Sequence, residues 1–105
     1  MPEIEIRQTL EYRRWFERLR DRRARFRILA RLRRLSLGHR GDTRHVGEGI
    51  WELRIDHGPG YRVYCRQLGE TAVVVLTGGT KATQARDIAR AKELAVKAEG
   101  PDEQD

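Results

Sequence analysis

The sequence has little cysteine, few aromatic residues and no long apolar run, and each shortage excludes a class of protein. Cys65 is the only cysteine, so no internal disulfide can form. One cysteine and three scattered histidines give no metal-ligand spacing, and we therefore expect no metal and no other cofactor. No apolar stretch is long enough to cross a membrane or resembles a signal peptide, so we expect a cytoplasmic protein.

Lysine is also scarce, whereas arginine is abundant. Arginine supplies 19 of the 22 basic residues, the formal net charge is +6 and the pI is about 10.2. Eleven arginines lie between Arg13 and Arg34, where Glu17 and Asp21 are the only acidic residues. Charge of one sign on so small a domain favours a polyanionic partner, nucleic acid or an acidic protein. Within this segment a helical stripe of Arg27, Arg31 and Arg34 is the candidate contact surface for such a partner.

The apolar pattern predicts a single α+β domain over residues 1–98 and a polar, acidic tail over residues 99–105. Thr9 and Asp21 are suited to cap two helices, and Gly38 to end the second. The predicted order is β-α-α-β-β-β(β)-α, an antiparallel sheet with helices on one face. Outside the central hairpin, the predicted elements are strands at 3–8, 43–46 and 71–77 and helices at about 10–19, 22–37 and 84–98.

Two features of the last strand extend this prediction. The continuous apolar run from Val73 to Leu76 is typical of a strand that is buried on both faces. The segment Gly78–Thr83 is expected to carry the chain out of the sheet, so that Thr83 caps the last helix.

The central stretch from Ile50 to Arg66 predicts a β-hairpin around the turn Gly58–Gly60. Its apolar residues alternate, so Trp51, Leu53 and Ile55 share one face with Tyr61, Val63 and Cys65. The simplest register pairs Ile55 with Tyr61 and therefore sets Arg54 opposite Arg62. Like charges facing each other are destabilising, so either Glu52 and Asp56 neutralise this face or the face holds an anion.

Basic side chains around an open sheet are sufficient for RNA cleavage. The 2′-hydroxyl of RNA is the nucleophile, so a protein needs only to align it with the phosphate and stabilise the developing negative charge. We expect Arg54, Arg62, Tyr64 and Arg66 on the other face, which is open or partly covered, with Tyr64 more accessible than Tyr61. Lys81 follows the last strand, and His57 in the turn is a possible acid or base.

Three segments together resemble the short toxins of the RelE/ParE superfamily, in the branch of addiction-module killer proteins similar to HigB. They are Gly47–Ile55, Gly58–Tyr64 and Gly78–Gln84, and Asp87–Ala91 is also similar to that branch. The resemblance covers roughly residues 4 to 96. It implies a RelE-like fold, and it implies the toxin of a type II toxin–antitoxin system that cuts messenger RNA on the ribosome. The implied partners are the ribosome, messenger RNA and a helix-turn-helix antitoxin.

The resemblance also implies roles for individual residues. Arg62 lies at the position of the strand arginine that contacts the scissile phosphate, while Arg54 and Lys81 match basic positions on either side of it in the chain. These three are the predicted catalytic residues, and Tyr64, Arg66, Arg27, Arg31 and Arg34 are the predicted RNA contacts. Some relatives carry a catalytic tyrosine just inside the last helix, whereas Gln84–Ile88 holds none. Two alternatives stay open: a toxin that poisons DNA gyrase, and a nucleic-acid-binding module without chemistry.

Overall fold

The computed structural model describes residues 3–98, and the strands and helices of that range follow the predicted order. They are β1 (Glu5–Gln8), α1 (Leu10–Arg18), α2 (Arg22–Ser36), β2 (Thr43–Gly47), β3 (Ile50–Ile55), β4 (Tyr61–Leu68), β5 (Ala72–Thr80) and α3 (Gln84–Ala98), with a short 3₁₀ turn at Lys81–Thr83. The predicted acidic tail lies outside the described residues. No helix within 3–98 has both the length and the apolar character needed to cross a membrane.

The five strands form one mixed sheet in the order β1-β5-β4-β3-β2. The α+β class and the element order are confirmed. The expectation of an antiparallel sheet holds for β2 to β5, whereas β1 pairs with β5 in parallel. β1 is joined to the next strand through two helices rather than a tight turn, so no hairpin constrains its direction.

The first core lies between the sheet and the helices α1 and α2. α1 contributes Tyr12, with Trp15 packed at its margin, and α2 contributes Ala24, Ile28, Leu32 and Leu35. The sheet side is the predicted alternating set, which is Trp51, Leu53, Ile55, Tyr61, Val63 and Cys65 with Val73 and Val75 of β5. The predicted apolar face of the hairpin is therefore confirmed.

A second core lies on the opposite face of the sheet, beneath α3. Ala91, Leu94 and Ala95 of α3 pack there against Ile50, Tyr64, Val74 and Leu76. Helices were expected on one face, with the other face open or partly covered, whereas α3 covers that second face up to the open hairpin end. Because β5 carries apolar side chains on both faces, its second face needs a cover, and α3 supplies it.

The pair Gly78 and Gly79 belongs to β5, so the prediction that the chain leaves the sheet there is also wrong. A Cβ on Gly78 would lie 2.4 Å from the Trp15 ring, and one on Gly79 would lie 1.8 Å from an Asp87 carboxylate oxygen. Both glycines are needed because α1 and α3 approach the strand backbone closely on opposite faces.

The ends of α1 and α2 follow the predicted signals, whereas the Thr83 hydroxyl bonds to the backbone of Thr80 and to the Asp87 side chain rather than to an amide of α3. The Thr9 side chain accepts a hydrogen bond from the Tyr12 amide, and Asp21 accepts from the amides of Arg23 and Ala24. Gly38 follows α2 with φ of +94°, in the left-handed region that glycine adopts most easily. These caps set where α1 and α2 begin and end, and the two helices together form the arginine-rich basic hairpin.

Candidate functional site: an arginine groove at the hairpin end

The hairpin of β3 and β4 has the predicted register. Ile55 pairs with Tyr61, and Arg54 therefore stands directly opposite Arg62. Both arginines lie on the face that α3 covers further along the strands, but at the turn end, beyond the reach of the α3 core. The same pairing that buries the apolar face thus brings two guanidinium groups together at the end of the sheet.

These two arginines line an open groove with a volume of about 380 Å³. Lys81 lines the same groove, so the structure brings together all three predicted catalytic residues. The remaining lining residues are Asp42, Ile55, Asp56, Gly58, Pro59 and Gly60. The groove is therefore built from the hairpin turn, the strand ends beside it and the start of the 3₁₀ turn.

The carbonyl of Gly60 connects two of the cationic residues. It accepts a hydrogen bond from the Lys81 amide at 2.8 Å and another from Nη1 of Arg62 at 3.2 Å. Gly60 has φ of +79°, and a Cβ there would lie 3.3 Å from Nη1 of Arg62. A glycine at this position allows the turn to approach both cationic residues.

Arg54 is partnered by an acid that lies outside the hairpin. Its Nη2 and Nε contact one oxygen of Asp42, at 2.7 and 3.1 Å. Asp42 raises the pKa of Arg54 through this hydrogen bond and through its charge. The pair sits at the solvent-exposed edge of the groove, so it orients Arg54 more than it stabilises the fold.

Arg62 is partnered by Glu52, a fully buried carboxylate on β3. Nε of Arg62 lies 3.7 Å from Oε1 of Glu52, and neither of these two buried atoms has a hydrogen bond within the described chain. The other oxygen, Oε2, accepts from the Tyr64 hydroxyl at 3.0 Å and from Nε2 of Gln84 at 2.7 Å. Glu52 thus joins β3, β4 and the first residue of α3 behind the groove.

Glu52 does pair with Arg62, as one interpretation of this face expected, but the expectation of a solvated face is wrong at Glu52, which is 0% exposed. The expectation that Tyr64 is the more accessible tyrosine is also wrong, because it is 0% exposed and Tyr61 is 9% exposed. Burial, with the Glu52 charge next, raises the pKa of Tyr64. Tyr64 supports the site from inside and does not form part of its surface.

The three arginines predicted on α2 differ in their surroundings. Arg31 is half-buried, and its guanidinium donates to the backbone carbonyls of Arg40, Asp42 and Arg54. It therefore ties α2 to the loop before β2 and to the end of β3. Arg27 and Arg34 are exposed on the same flank of the helix and are available to a partner.

Two further predicted residues lie away from the groove. The ring of His57 contacts Asp21, with 2.9 Å between Nε2 and Oδ2, so the turn histidine faces the start of α2. Backbone hydrogen bonds at the helix start, with the bond to His57 next, lower the pKa of Asp21. Arg66 follows Arg62 by four positions along β4, about 13 Å away, and donates to the carbonyl of Ala95 at 3.4 Å. Neither side chain lines the groove.

Asp42 and Gln84 were not predicted as residues of the site, and the burial of Glu52 was not predicted either. Asp42 and Gln84 reach the site from distant parts of the chain, so hairpin alternation could not indicate them. A signal for Glu52 was present, because Ile50, Val74 and Leu76 share its face and require a cover. A helix on that face would also bury the neighbouring carboxylate.

The groove is suited to hold an anion. Two of its three cationic residues are held by carboxylates, whereas the amine of Lys81 has no ion pair with residues 3–98. Positioned guanidinium and ammonium groups stabilise negative charge that develops on a phosphate. His57 is turned away from the groove. Of the two carboxylates in the lining, Asp42 is paired with Arg54, whereas Asp56 is exposed and has no ion pair with residues 3–98.

Comparison with known proteins places this fold in a family. Residues 14–97 match the family model described as phage-derived protein Gp49-like (DUF891). An uncharacterized protein of Haemophilus influenzae is 47% identical over 92 residues, which covers 88% of this chain and 93% of the relative.

Two solved structures share the fold. A double mutant of the Escherichia coli toxin RelE in the free state has a TM-score of 0.71 at 13% identity, covering 87% of this chain and 96% of RelE. The RelBE2 toxin–antitoxin complex of Mycobacterium tuberculosis has a TM-score of 0.60 at 23% identity, covering 75% of this chain and 99% of the matched one. The resemblance to the RelE/ParE superfamily is confirmed, while the HigB-like branch stays a prediction. This protein belongs to the phage-derived Gp49-like (DUF891) family and has the fold of the RelE toxins.

Proposed function

We propose that this protein is the toxin of a type II toxin–antitoxin system and acts as a ribosome-dependent messenger RNA endonuclease. The observation that carries the proposal is the convergence of Arg54, Arg62 and Lys81 on one open groove. Membership of a family with the RelE toxin fold supports the toxin role. The proposed target, the ribosome, is cytoplasmic, and the proposed reaction uses no metal.

In this reaction the 2′-hydroxyl of the messenger attacks the adjacent phosphate, and the bond to the 5′-oxygen of the next nucleotide breaks. The products are a 2′,3′-cyclic phosphate and a 5′-hydroxyl. Arg62 and Arg54 would bind the phosphate oxygens and stabilise the additional negative charge of the transition state. Lys81 would stabilise or protonate the leaving oxygen, because an ammonium group carries a transferable proton.

Removal of the 2′-proton is assigned to Asp56 or to a ribosomal or RNA group. Asp56 is an exposed carboxylate of the groove and, unlike Asp42, has no ion pair with residues 3–98. His57 is bound to Asp21, and Gln84–Ile88 holds no tyrosine. Alignment of the hydroxyl and the phosphate would therefore contribute most of the acceleration.

The test is cleavage of an end-labelled messenger on programmed ribosomes by the purified protein. We expect a fragment that ends in a 2′,3′-cyclic phosphate, formed equally well with a metal chelator present. Induced expression should arrest growth, and Lys81→Ala should relieve the arrest while the protein still folds, because Lys81 is exposed. An intact messenger, with soluble wild-type protein and active ribosomes, would contradict the proposal.

A second candidate is a protein that does not cleave RNA, either a toxin that poisons DNA gyrase or a nucleic-acid-binding module without chemistry. The observation that favours it is the lack of a positioned histidine or tyrosine in the groove, since catalysis needs proton transfer and binding does not. A gyrase supercoiling assay and the cleavage assay, run on one preparation, separate the two. Inhibited supercoiling with an intact messenger would favour the second candidate.

A further inference from the structure

The outer face of α2 carries large apolar side chains that no part of residues 3–98 covers. Phe26 is 72% exposed, Leu29 is 51% exposed and Leu37, at the C-cap, is 49% exposed. A free surface helix normally places such residues against the core, and the core side of α2 is already filled by Ala24, Ile28, Leu32 and Leu35. The apolar residues therefore form a second stripe on the opposite side of the helix.

This stripe is regular and includes two arginines. Arg22, Phe26, Leu29, Arg33 and Leu37 follow one another at intervals of three or four residues, so they share one face. Arg22 and Arg33 are exposed and lie eleven positions apart, about 16 Å along the helix axis. Arg33 contacts Glu3 at 3.2 Å, but both side chains are more than half exposed, so the pair is easily replaced.

We propose that this stripe, hereafter the α2 outer face, docks an acidic amphipathic helix of a partner protein. Such a helix would place apolar residues on Phe26 and Leu29 and acidic residues about three turns apart on Arg22 and Arg33. The match of apolar and charged positions over three turns fits a helix lying along α2. If the protein is a toxin, this partner is its antitoxin, and that identification alone rests on the proposed function.

Charge and position argue against other occupants. A second copy of this chain would bring the same arginines face to face across a two-fold axis, where they would repel. RNA would satisfy Arg22 and Arg33 but would leave Leu29 and Leu37 against phosphates. The groove lies on the other face of the sheet, so RNA bound there does not extend over this stripe without wrapping around the domain.

The test measures binding of a labelled synthetic peptide by fluorescence anisotropy. The peptide repeats leucines at helical spacing and carries glutamates on the flanking positions; a control peptide of the same composition has the leucines spread around the helix. We expect Phe26→Ser with Leu29→Ser to weaken binding about tenfold or more, as loss of central apolar anchors does. Arg22→Ala with Arg33→Ala should weaken it by a smaller factor that salt diminishes.

The matched control is Val96→Ser on α3, where a 71% exposed valine lies outside the α2 outer face and its loss should leave binding unchanged. Equal affinity of the double serine variant and wild type would overturn the proposal, as would equal binding of the control peptide. If the serine variant instead loses binding to an oligouridine RNA, the stripe is an RNA contact. If it dissociates a wild-type dimer in sedimentation, the stripe joins two copies. The peptide assay reads binding alone, so neither its success nor its failure depends on messenger cleavage.

Discussion

At the scale of single residues, Arg62 lies between a buried carboxylate and the open groove. Behind it lies the buried carboxylate of Glu52, and in front of it lies the open groove. Because Arg62 faces Arg54 across the ladder, we expected the two charges to repel each other until an anion binds. The structure changes that expectation, because Asp42 holds Arg54 and Glu52 holds Arg62. Removing Arg62 would leave a buried charge without its counter-ion.

Truncation of Arg62 should therefore reduce both stability and cleavage. We expect Arg62→Ala to lower the free energy of unfolding by about 1–3 kcal/mol, the cost of an unpaired buried polar group. Messenger cleavage per folded molecule should fall about 10²–10³-fold if Arg62 stabilises the transition state. Arg62→Lys should not restore full activity, since an ammonium cannot reproduce the two-pronged contact. Urea unfolding and single-turnover cleavage measure the two effects.

The double variant Arg62→Ala with Glu52→Gln separates the two roles. The Tyr64 hydroxyl and the Gln84 amide both donate to the same oxygen of Glu52, so a glutamine oxygen can accept both bonds. The double variant should recover most of the lost stability because no buried charge remains. Cleavage should stay low. Recovery of cleavage together with stability would mean that Arg62 supports the fold only.

Tyr64 gives the complementary prediction. Tyr64→Phe removes one hydrogen bond to a buried carboxylate and should lower the free energy of unfolding by about 1.5–3 kcal/mol. Because the side chain is 0% exposed, RNA affinity of the folded variant should equal that of wild type. RNA titrations well below the melting temperature check this. A weakened RNA complex with unchanged stability would restore Tyr64 as a direct contact.

At the scale of elements, α1 and α3 are clamped together beside β5 by Glu11 and Arg90. Nη2 of Arg90 lies 2.6 Å from Oε1 of Glu11, and Nε lies 3.0 Å from both Glu11 oxygens. The hydrogen bond from Arg90 lowers the pKa of Glu11 below its usual value of 4.5. The clamp joins α3, which packs on the groove face of the sheet, to α1, which belongs to the basic hairpin on the opposite face.

The clamp predicts a pH dependence of stability. A carboxylate with a lowered pKa in the folded state contributes stability above its unfolded pKa, and this is lost as the pH falls through the folded value. Glu11→Gln should cost up to about 1 kcal/mol at neutral pH, a limit set by the solvent exposure of the pair. The difference from wild type should shrink as the pH falls from 4.5 through the lower folded pKa of Glu11, so it should be smaller at an acidic pH below that value. Urea unfolding at both pH values measures this.

Glu93→Gln is the matched control, since Glu93 contacts the same arginine at 2.8 Å but its side chain is 67% exposed. Its effect should be smaller at both pH values. A Glu11→Gln variant that differs from wild type by the same amount at neutral and acidic pH would contradict the role of ionised Glu11.

Local patterns were sufficient to predict the elements and the hairpin register. A slip of one residue would have moved Glu52 and Arg54 into the core beneath α1 and α2, so alternation allowed one pairing of β3 with β4. The caps Thr9 and Asp21 act within three residues of their own positions, and such signals are visible in sequence. The groove followed because its two arginines depend on that register.

Contacts between distant segments could not be predicted in the same way. The parallel pairing of β1 with β5 joins residues more than sixty positions apart, and no turn links the two strands. The burial of Glu52 depends on where α3 packs, and the orientation of His57 depends on Asp21, 36 positions away. Asp42 reaches Arg54 through a loop whose position Arg31 maintains.

At the scale of the whole molecule, positive charge covers more than the groove. α2 presents arginines on two separate flanks, with Arg27 and Arg34 on the side of Arg31 and with Arg22 and Arg33 on the α2 outer face. Arg31 reaches the backbone of Arg54, so the flank of Arg27 and Arg34 adjoins the groove edge. If the groove binds RNA as proposed, we expect the RNA chain to continue onto that flank.

This arrangement predicts which arginines contribute to the salt dependence of RNA binding. Each arginine that contacts a phosphate releases counter-ions, so losing it should reduce the slope of log K against log salt by about 1. Arg27→Ala with Arg34→Ala should therefore reduce the slope for ribosomal or messenger RNA by about 2 and leave thermal stability unchanged.

Arg31 is left intact in this variant because it donates to three backbone carbonyls, and its loss would change folding as well as binding. The matched control is Arg22→Ala with Arg33→Ala, which removes the same charge from the same helix on the other flank. An effect of net charge alone would reduce the salt slope of both double variants equally. The proposed RNA path requires that the slope falls only in the Arg27→Ala, Arg34→Ala variant.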